Sequence, residues 1–308
     1  MHAPLLVAVV GPTGSGKSSL ALAIACQLDS EIVNCDSLQI YRHFNVGTAK
    51  LPPDDRRGIP HHLLDILEPW ETFTAGDYAR AARQVIARIV GRERLPVIVG
   101  GTGFYLRALL EGLFESPGRD EALRLRLRAR ESRRPGSLHR ILNRLDPGAA
   151  LRIHPNDTRK LIRALEVTVL ARQPVSGLFG QGRDRLEGYT VLKIGLNPPR
   201  EELYRRLNRR AARMFESGLL DEVRDLLAKG LSVQTRPFES IGYQQALRHI
   251  RGEIPLDEAV QSAQLATRQY AKRQWTWFRK EKDVLWIDGF GETPEVQSAA
   301  ISKIKESR

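Results

Sequence analysis

The chain has 308 residues, of which 42% are hydrophobic, enough for one large domain or two ordinary ones at roughly 100–200 residues each. Its 48 Lys and Arg outnumber its 36 Asp and Glu, and the net charge is +12 at pH 7. This excess favours nucleic acid, an anionic membrane surface or phosphorylated substrates as partners, although an ordinary basic enzyme can have the same balance. Two isolated cysteines, Cys26 and Cys35, argue against a structural zinc site and against dependence on disulfides.

The apolar segments of the chain are short. No run approaches the roughly 18 residues of a membrane span, and the N-terminus lacks the basic region and cleavage site of a signal peptide. We therefore expect a cytoplasmic protein with no membrane partner.

Short apolar runs alternate with helical patterns over the first hundred residues. Residues 5–10 predict a strand, and a glycine-rich turn leads from it into a helix at 18–28. A second strand is predicted at 31–35, a helix at 75–90 and a third strand at 97–99. Strands that alternate with helices and are apolar throughout indicate an α/β fold with a doubly wound parallel sheet, buried on both faces.

The composition changes near Pro117. Residues 119–134 contain seven arginines alternating with leucines, and their length and composition favour a helix over a strand. A further helix is predicted at 156–171, a strand of the first sheet at 189–196, and mainly helices from residue 200 onward. We therefore predict an α/β catalytic core at 1–117 and 189–308 with a helical C-terminal part, interrupted by a mainly helical insertion at 118–188.

Residues 11–18 have the pattern GxxxxGK[ST] between a predicted strand and a predicted helix. In this context glycines turn backbone N–H groups towards phosphate oxygens, and the helix N-terminus adds partial positive charge. Lys17 supplies a point charge, and the Ser18 hydroxyl is a candidate ligand of Mg²⁺. The sheet is therefore predicted to be of the P-loop NTPase type, in which most proteins bind a nucleotide such as ATP. The candidate phosphate-binding residues are Gly11, Pro12, Thr13, Gly14, Ser15, Gly16, Lys17 and Ser18.

The ends of the other two predicted strands carry different groups. The third strand ends in Gly100 and Gly101, without the acidic residue that helps to hold Mg²⁺ in nucleotide-hydrolysing P-loop proteins. This argues against an ATPase motor, and less strongly against a small-molecule kinase. Asp36 follows the second strand, at the edge where open α/β sheets bind ligands. Its carboxylate is either a general base or the cap of a turn, and position alone does not choose between them.

A series of seven segments extends over nearly the whole chain. The segments are DSLQIYR at 36–42, GTAK at 47–50, IPHHLLD at 59–65, GGTGFYL at 100–106, ND at 156–157 with RALE at 163–166, IGY at 241–243, and YAKRQ at 270–274 with TWFR at 276–279. In this order they resemble the tRNA dimethylallyltransferase family, also called tRNA isopentenyltransferases. Without a zinc-finger tail, the chain is most similar to the bacterial form.

The resemblance implies a reaction. Dimethylallyl diphosphate gives its five-carbon group to N6 of adenosine 37, beside the anticodon, in tRNAs that read codons beginning with U. Diphosphate leaves with the help of Mg²⁺, and the P-loop holds the diphosphate of the prenyl donor and does not serve ATP hydrolysis. The implied partners are the anticodon stem-loop of tRNA and dimethylallyl diphosphate, and we expect a monomer.

The resemblance also implies roles for particular residues. Thr13 matches the threonine that contacts the oxygen bridging the donor carbon and the diphosphate, and Asp36 matches the general base for the adenine amine. A diphosphate-binding arginine is expected in the helix that contains Arg206 and Arg210. Arg206 is the preferred match, and a solvated basic face against RNA is the alternative. The candidate catalytic residues are therefore Asp36, Thr13 and Arg206, with Arg210 as a further diphosphate ligand.

Other positions match segments of the family that contact tRNA. The chain departs from the family at Arg159 and Lys160, where Gln-Arg is common, and at Ile162, which replaces a common glutamine. RNA binding is expected there, but no specific base contact is assigned. The candidate tRNA-binding residues are Asp36, Ser37, Leu38, Gln39, Thr102, Arg124, Arg159, Lys160 and Arg163.

Two alternatives of other classes remain open from the residues alone. A small-molecule kinase would use Asp36 as its base and the basic insertion as a lid. An RNA-binding NTPase switch would show nucleotide-dependent RNA affinity without a product, and the missing acid after the third strand argues against it. In the aromatic and basic segment at 268–279, we expect the Trp and Tyr side chains to pack in the core, with base stacking as the alternative.

Overall fold

The computed structural model describes residues 3–114, 117–178 and 184–308. The chain forms two compact units, one of Met1–Leu110 with Leu186–Arg308 and a smaller one of Glu111–Arg185. The smaller unit therefore begins and ends a short way before the limits of 118–188 proposed from the sequence. None of the described helices is long and apolar enough to cross a bilayer.

The larger unit is built on one parallel sheet. Its strands in the described part of the chain are β1 (Leu5–Val10), β2 (Ser30–Asn34), β3 (His61–His62), β4 (Leu95–Val99), β5 (Thr190–Asn197) and β6 (Val284–Asp288). They lie in the order β3-β2-β4-β1-β5-β6, and every neighbouring pair is parallel. β1, β2 and β4 are buried along their whole length. The predicted α/β class with a buried parallel sheet is confirmed.

Helices make up most of the remaining structure. In chain order they are α1 (Lys17–Leu28), α2 (Ala75–Val90), α3 (Gly103–Glu111), α4 (Glu121–Arg133), α5 (Ser137–Leu145), α6 (Pro147–Ala150), α7 (Thr158–Ala171), α8 (Val175–Leu178), α9 (Arg200–Glu216), α10 (Leu219–Ala228), α11 (Tyr243–Ile250), α12 (Leu256–Phe278) and α13 (Pro294–Glu306). Short 3-10 turns occupy Asp54–Arg56 and Arg236–Glu239.

The limits of α2 agree with those predicted, because its first turn has a strong sequence signal. The Thr74 hydroxyl accepts a hydrogen bond from the Asp77 N–H, and the Asp77 carboxylate accepts one from the Thr74 N–H. This reciprocal capping box satisfies two of the helix's unpaired N–H groups. Alanine, valine and isoleucine then recur on the face of α2 that is buried.

Two strands were not predicted from the sequence. β3 is only the pair His61–His62, which aligns with Ile32 and Val33 of β2, and two residues are too few to show a period. β6 is half-buried at the opposite edge and pairs with β5. Its short apolar run lies in the region where helices dominate, so its pattern did not separate it from a helix end.

The strand register determines which loops meet. Val99 of β4 pairs with Val9 of β1 on one side and with Asn34 of β2 on the other. The residues that follow these three strands therefore emerge together at the carboxyl edge of the sheet, where open α/β proteins bind their ligands. The P-loop, Asp36 and the glycine loop after β4 are the segments brought together in this way.

Several motifs of the family series stabilise the loop after β2. The Gly47 N–H donates to the Tyr243 hydroxyl at 3.1 Å, which joins the GTAK and IGY segments. Lys50 Nζ donates to the Tyr41 carbonyl at 2.7 Å and to the Asp65 carboxylate at 2.5 Å, with its side chain only 3% exposed. A buried ammonium group needs such partners. Lys50 therefore ties Tyr41 to Asp65 and fixes the loop between them.

The smaller unit has a hydrophobic core of its own. Leu138, Leu142, Leu161 and Leu165 are at most 1% exposed and come from α5 and α7. By contrast, no residue of α4 is buried. The helix predicted in this basic segment is thus confirmed, and its alternating Leu and Arg pattern reflects a helix that exposes most of its surface.

Candidate active site

The P-loop follows β1 and ends where α1 begins. Gly16 lies in the left-handed region (φ 86°) and precedes Lys17, and no side chain caps the N-terminus of α1. A side chain at Gly16 would overlap Glu292 and Gly291, and the Gly291 N–H donates to the Ser15 carbonyl at 2.9 Å. Only glycine fits this close approach. The uncapped amides of α1 are available to phosphate oxygens.

Lys17 is held against the loop's own backbone. Its Nζ donates to the carbonyls of Gly11 at 3.1 Å and Pro12 at 2.8 Å. Burial, opposed by the Asp36 carboxylate and reinforced by the Arg210 guanidinium, lowers the pKa of Lys17 to about 8. An anionic ligand would favour the protonated amine, so we expect anion binding to raise this pKa.

Arg206 and Arg210 occupy different positions although they lie one turn apart on α9. The Arg210 Nη2 donates to the Thr13 hydroxyl at 2.7 Å. Burial, reinforced by Arg206, lowers the pKa of Arg210 to about 10, so that it remains cationic at neutral pH. Arg206 instead pairs with Glu292 and lies 5.0 Å from the centre of the Phe290 ring. Of the two arginines, Arg210 is the one in contact with the P-loop threonine.

Asp36 is both the cap of a turn and a candidate base. Its Oδ1 accepts hydrogen bonds from the N–H groups of Leu38 at 2.9 Å and Gln39 at 3.4 Å. Its Oδ2 has no hydrogen-bond partner among the described residues. The two interpretations of Asp36 are therefore compatible, because one oxygen fixes the turn and the other is free to accept a proton.

The glycine loop after β4 is attached to the Asp36 turn. The Ser37 N–H donates to the Thr102 hydroxyl at 3.1 Å, and the Thr102 N–H donates to the Cys35 carbonyl at 3.2 Å. Gln39 donates its side-chain amide to the Thr48 carbonyl at 3.1 Å. The contacts of Thr102 and Gln39 within the protein are thus defined, whereas their contact with tRNA stays a prediction.

Gln274 of α12 is a site residue whose role was not predicted from the sequence. Its Oε1 accepts from the Thr13 N–H at 2.7 Å, and its Nε2 donates to the Gly101 carbonyl at 2.9 Å. Tyr270, one turn earlier, lines the same space; burial and then the Asp36 carboxylate raise the pKa of its hydroxyl. The available signal was the spacing of Tyr270 and Gln274 within a segment already matched to the family.

These groups surround a single cavity of about 220 Å³ at the carboxyl edge of the sheet. Phosphate-binding groups and the candidate base both line it, so a diphosphate and a nucleophile can be held side by side. The functional side chains on its wall are those of Thr13, Lys17, Ser18, Asp36, Gln39, Arg206, Arg210, Tyr270 and Gln274.

The cavity offers few ligands for a metal ion. In the described residues no three His, Cys, Asp or Glu side chains cluster closely enough to hold one. Mg²⁺ usually keeps several waters and takes one or two protein oxygens together with substrate phosphates. Ser18 and Asp36 both line the cavity, and this donor set fits a Mg²⁺ ion that is bound together with a diphosphate.

Four predicted tRNA-contact residues lie in the smaller unit, and three of them have internal partners. Arg124 makes two hydrogen bonds of 2.7 Å to the Glu166 carboxylate, and its side chain is 17% exposed. Arg163 also pairs with Glu166, at 2.5 Å. Lys160 pairs with Asp157, whereas Arg159 is exposed without an ion pair in the described part of the chain. The contact of all four with tRNA stays a prediction.

The two tryptophans of α12 pack against the protein, as expected. Trp275 is buried and its indole N–H donates to the Asn197 side chain at 3.1 Å. Trp277 lies against Gly103, where a side chain would overlap its indole, and Arg107 stacks 4.4 Å from its ring centre.

The chain is similar to a known protein family and to relatives from several bacteria. Residues 39–281 match the family described as IPP transferase. A tRNA dimethylallyltransferase of Solibacter usitatus is 62% identical over 97% of this chain and 97% of its own length. One of Koribacter versatilis is 52% identical over the full length of both chains.

Solved structures agree with these relatives. The full-length tRNA isopentenylpyrophosphate transferase of Bacillus halodurans superposes with a TM-score of 0.72 at 36% identity, covering 98% of this chain and 97% of its own. A eukaryotic dimethylallyltransferase captured acting on tRNA superposes with a TM-score of 0.81 at 27% identity, covering 98% of this chain and 77% of its own.

Proposed function

Because the chain belongs to the tRNA dimethylallyltransferase family, we propose that it transfers the dimethylallyl group of dimethylallyl diphosphate to N6 of adenosine 37 in tRNAs that read codons beginning with U. The observation that carries the proposal is the single cavity shared by the phosphate loop and the Asp36 carboxylate. The reaction needs both, because a diphosphate leaves while an amine loses its proton. The relatives favour this reaction over a small-molecule kinase.

The P-loop side of the cavity favours departure of the diphosphate. The Thr13 oxygen already accepts a hydrogen bond from Arg210, so the Thr13 proton is available to the oxygen that bridges the donor carbon and the diphosphate. As the carbon–oxygen bond breaks, its electron pair moves to that oxygen. Lys17, Arg210 and the α1 amides stabilise the growing negative charge. Arg206 holds the outer side of the cavity through its pair with Glu292.

The opposite side of the cavity holds the candidate base. The N6 lone pair attacks the allylic carbon, and the N6 proton passes to Asp36 Oδ2 as the new bond forms. The oxygen that receives the proton is fixed in position because Oδ1 accepts two backbone hydrogen bonds. This role requires the target adenine to leave its stack in the anticodon loop.

We propose that Ser18 holds Mg²⁺ together with the donor diphosphate. Bound there, the ion supplies positive charge that makes the diphosphate a better leaving group. Lys17 and Arg210 supply the remaining positive charge from the protein.

The proposed tRNA-binding surface of the smaller unit is its exposed basic helical face. Arg126 and Arg130 of α4 and Arg159 of α7 are exposed. Contacts from such residues to phosphates give affinity without reading sequence. The proposed contacts to the anticodon loop lie beside Asp36, either in the chain or in space. They are Ser37, Leu38, Gln39 and Thr102.

The test is a transfer assay. Purified protein, Mg²⁺, labelled dimethylallyl diphosphate and an unmodified anticodon stem-loop carrying adenosines at 36 and 37 are incubated, and label in RNA is measured. We expect labelled RNA, and none when guanosine replaces adenosine 37. Absence of label at every salt concentration, together with phosphoryl transfer from ATP to a small acceptor, would overturn the proposal in favour of a kinase.

A further inference from the structure

Gln274 connects the two loops that hold the two substrates. One planar amide accepts from the Thr13 N–H of the P-loop and donates to the Gly101 carbonyl of the loop after β4. The residue is 5% exposed, so these backbone groups have no easy access to water. Thr13 is the residue proposed to contact the donor, and Gly101 precedes Thr102, which bonds to the Asp36 turn.

The fit around this amide is close. A side chain at Gly101 would overlap the Gln274 Nε2, and Trp277, one turn further along α12, packs in the same way on Gly103. Helix α12 therefore presses on the glycine loop at two successive turns. Each end of the amide thus bonds to backbone, the oxygen to the P-loop and the nitrogen to the glycine loop, and this fixes the plane of the amide between the two loops.

From this geometry we propose that Gln274 is a positioning residue that sets the separation between the donor loop and the acceptor loop. It acts through Thr13 and through the Gly101–Thr102 link to Asp36 and does not touch the reacting atoms. The inference rests on the proposed transfer reaction. Bond formation needs the allylic carbon and N6 at reacting distance, and misplacement by about 1 Å can cost on the order of 100-fold in rate.

The test compares Gln274→Met with Gln264→Met in the full chain. Gln264 lies on the same helix and donates its amide to the Asn208 carbonyl at 3.1 Å, away from both loops. In single-turnover assays with saturating substrates, we expect Q274M to transfer about 100-fold more slowly. Its Kd values for inorganic diphosphate and for the stem-loop RNA should stay within about threefold of the parent. Q264M should transfer at the parent rate.

Gln274→Glu provides a second readout. Its carboxylate still accepts from Thr13 but cannot donate to Gly101 until it is protonated, and burial raises the pKa of such a group. We therefore expect the rate of Q274E relative to the parent to rise as the pH falls from about 8 to about 6, which a purely structural role would not produce.

Three results would overturn the positioning role. One is a parent-like single-turnover rate in Q274M, and another is a pH-independent Q274E ratio. The third is a parallel loss of both affinities and of the thermal midpoint, which would make Gln274 structural. If instead the parent protein transferred no label, the proposed function itself would fail.

Discussion

Asp36 caps a turn with one oxygen and is the proposed base through the other, and substitutions can separate the two roles. Asp36→Asn keeps an oxygen that can cap the turn at Leu38 and Gln39 but removes the base. We expect a fall of about 10²–10⁴-fold in single-turnover rate with tRNA affinity unchanged. Asp36→Ala should lower the rate and also weaken tRNA binding, because it releases the turn. Equal tRNA affinities in the two variants would show that the cap is not needed.

Lys17 should make donor binding depend on pH. Its pKa is lowered to about 8, so the free protein carries this charge below that pH and binding needs no added proton. Above it, binding must take up a proton, and the affinity should fall by up to about tenfold per pH unit. Calorimetric titration of inorganic diphosphate between about pH 7 and 9.5 measures this. Lys17→Arg stays charged over this range, so its affinity should show no inflection near pH 8. If the variant and the parent gave the same pH dependence, the inflection would belong to another group.

Site residues that lie next to a strand end in the chain could be predicted from the sequence. The P-loop pattern and Asp36 could be placed because parallel strands end at one edge, and the structure brings them into one cavity. Gln274 could not be placed, since its bond to Thr13 joins residues 261 apart in the chain. The choice between Arg206 and Arg210 also depended on contacts, because both lie on one helix one turn apart.

Among the elements, the α4–α7 pair depends on one buried carboxylate. Glu166 is fully buried and bonds to Arg124 and Arg163. Removing one partner of such a group typically costs about 3–5 kcal/mol. We expect Arg124→Ala to reduce hydrogen-exchange protection across α4 and α7 while α9 is unchanged. Arg128→Ala is the matched control, because Arg128 is exposed and lies 3.6 Å from Glu121. Similar exchange in both variants would contradict the structural role of Arg124.

The same carboxylate gives the smaller unit an acid limit. Burial opposes ionisation of Glu166, but its hydrogen bonds from Arg124, Arg163 and the Asp120 N–H lower its pKa to about 2. A depressed carboxyl pKa stabilises the fold above the ordinary value near 4.5 and loses that effect towards about 2. Exchange protection of α7 should therefore decline within this window. In a Glu166→Gln variant, exchange protection of α7 should decline less steeply as the pH falls. If it declined as in the parent, the effect would belong to another group.

Element prediction succeeded where burial and length produced a clear pattern, either a helical period or an unbroken apolar run. α2 has a capping box and a regular apolar face, and β1 and β4 are apolar throughout. β3 and β6 lie at the edges of the sheet, where short length and partial exposure weaken the pattern. In helix α4 the sequence pattern is misleading. Its alternation of Leu and Arg is typical of a strand, but no residue of the helix is buried.

For the molecule as a whole, the charge of +12 should make tRNA affinity depend on salt. Each phosphate contact contributes about 0.9 to the slope of log affinity against log salt on duplex. We expect Arg159→Ala to reduce this slope by about that amount, measured on the stem-loop RNA. Arg88→Ala on α2 of the larger unit is an exposed control. If Arg88→Ala changed the slope equally, the effect of Arg159→Ala would come from the lower net charge and not from a phosphate contact.

The distance in sequence between Thr13 and Gln274 has a consequence during translation. The ribosome makes Gln274 261 residues after the P-loop, a delay of roughly 10–50 s at elongation rates of about 5–20 residues per second. The segment that lies against Gly16, at Gly291, is made later still. A nascent chain therefore exposes the P-loop before the residues that pack against it exist, and on the proposed mechanism it can align two substrates only after α12 has left the exit tunnel.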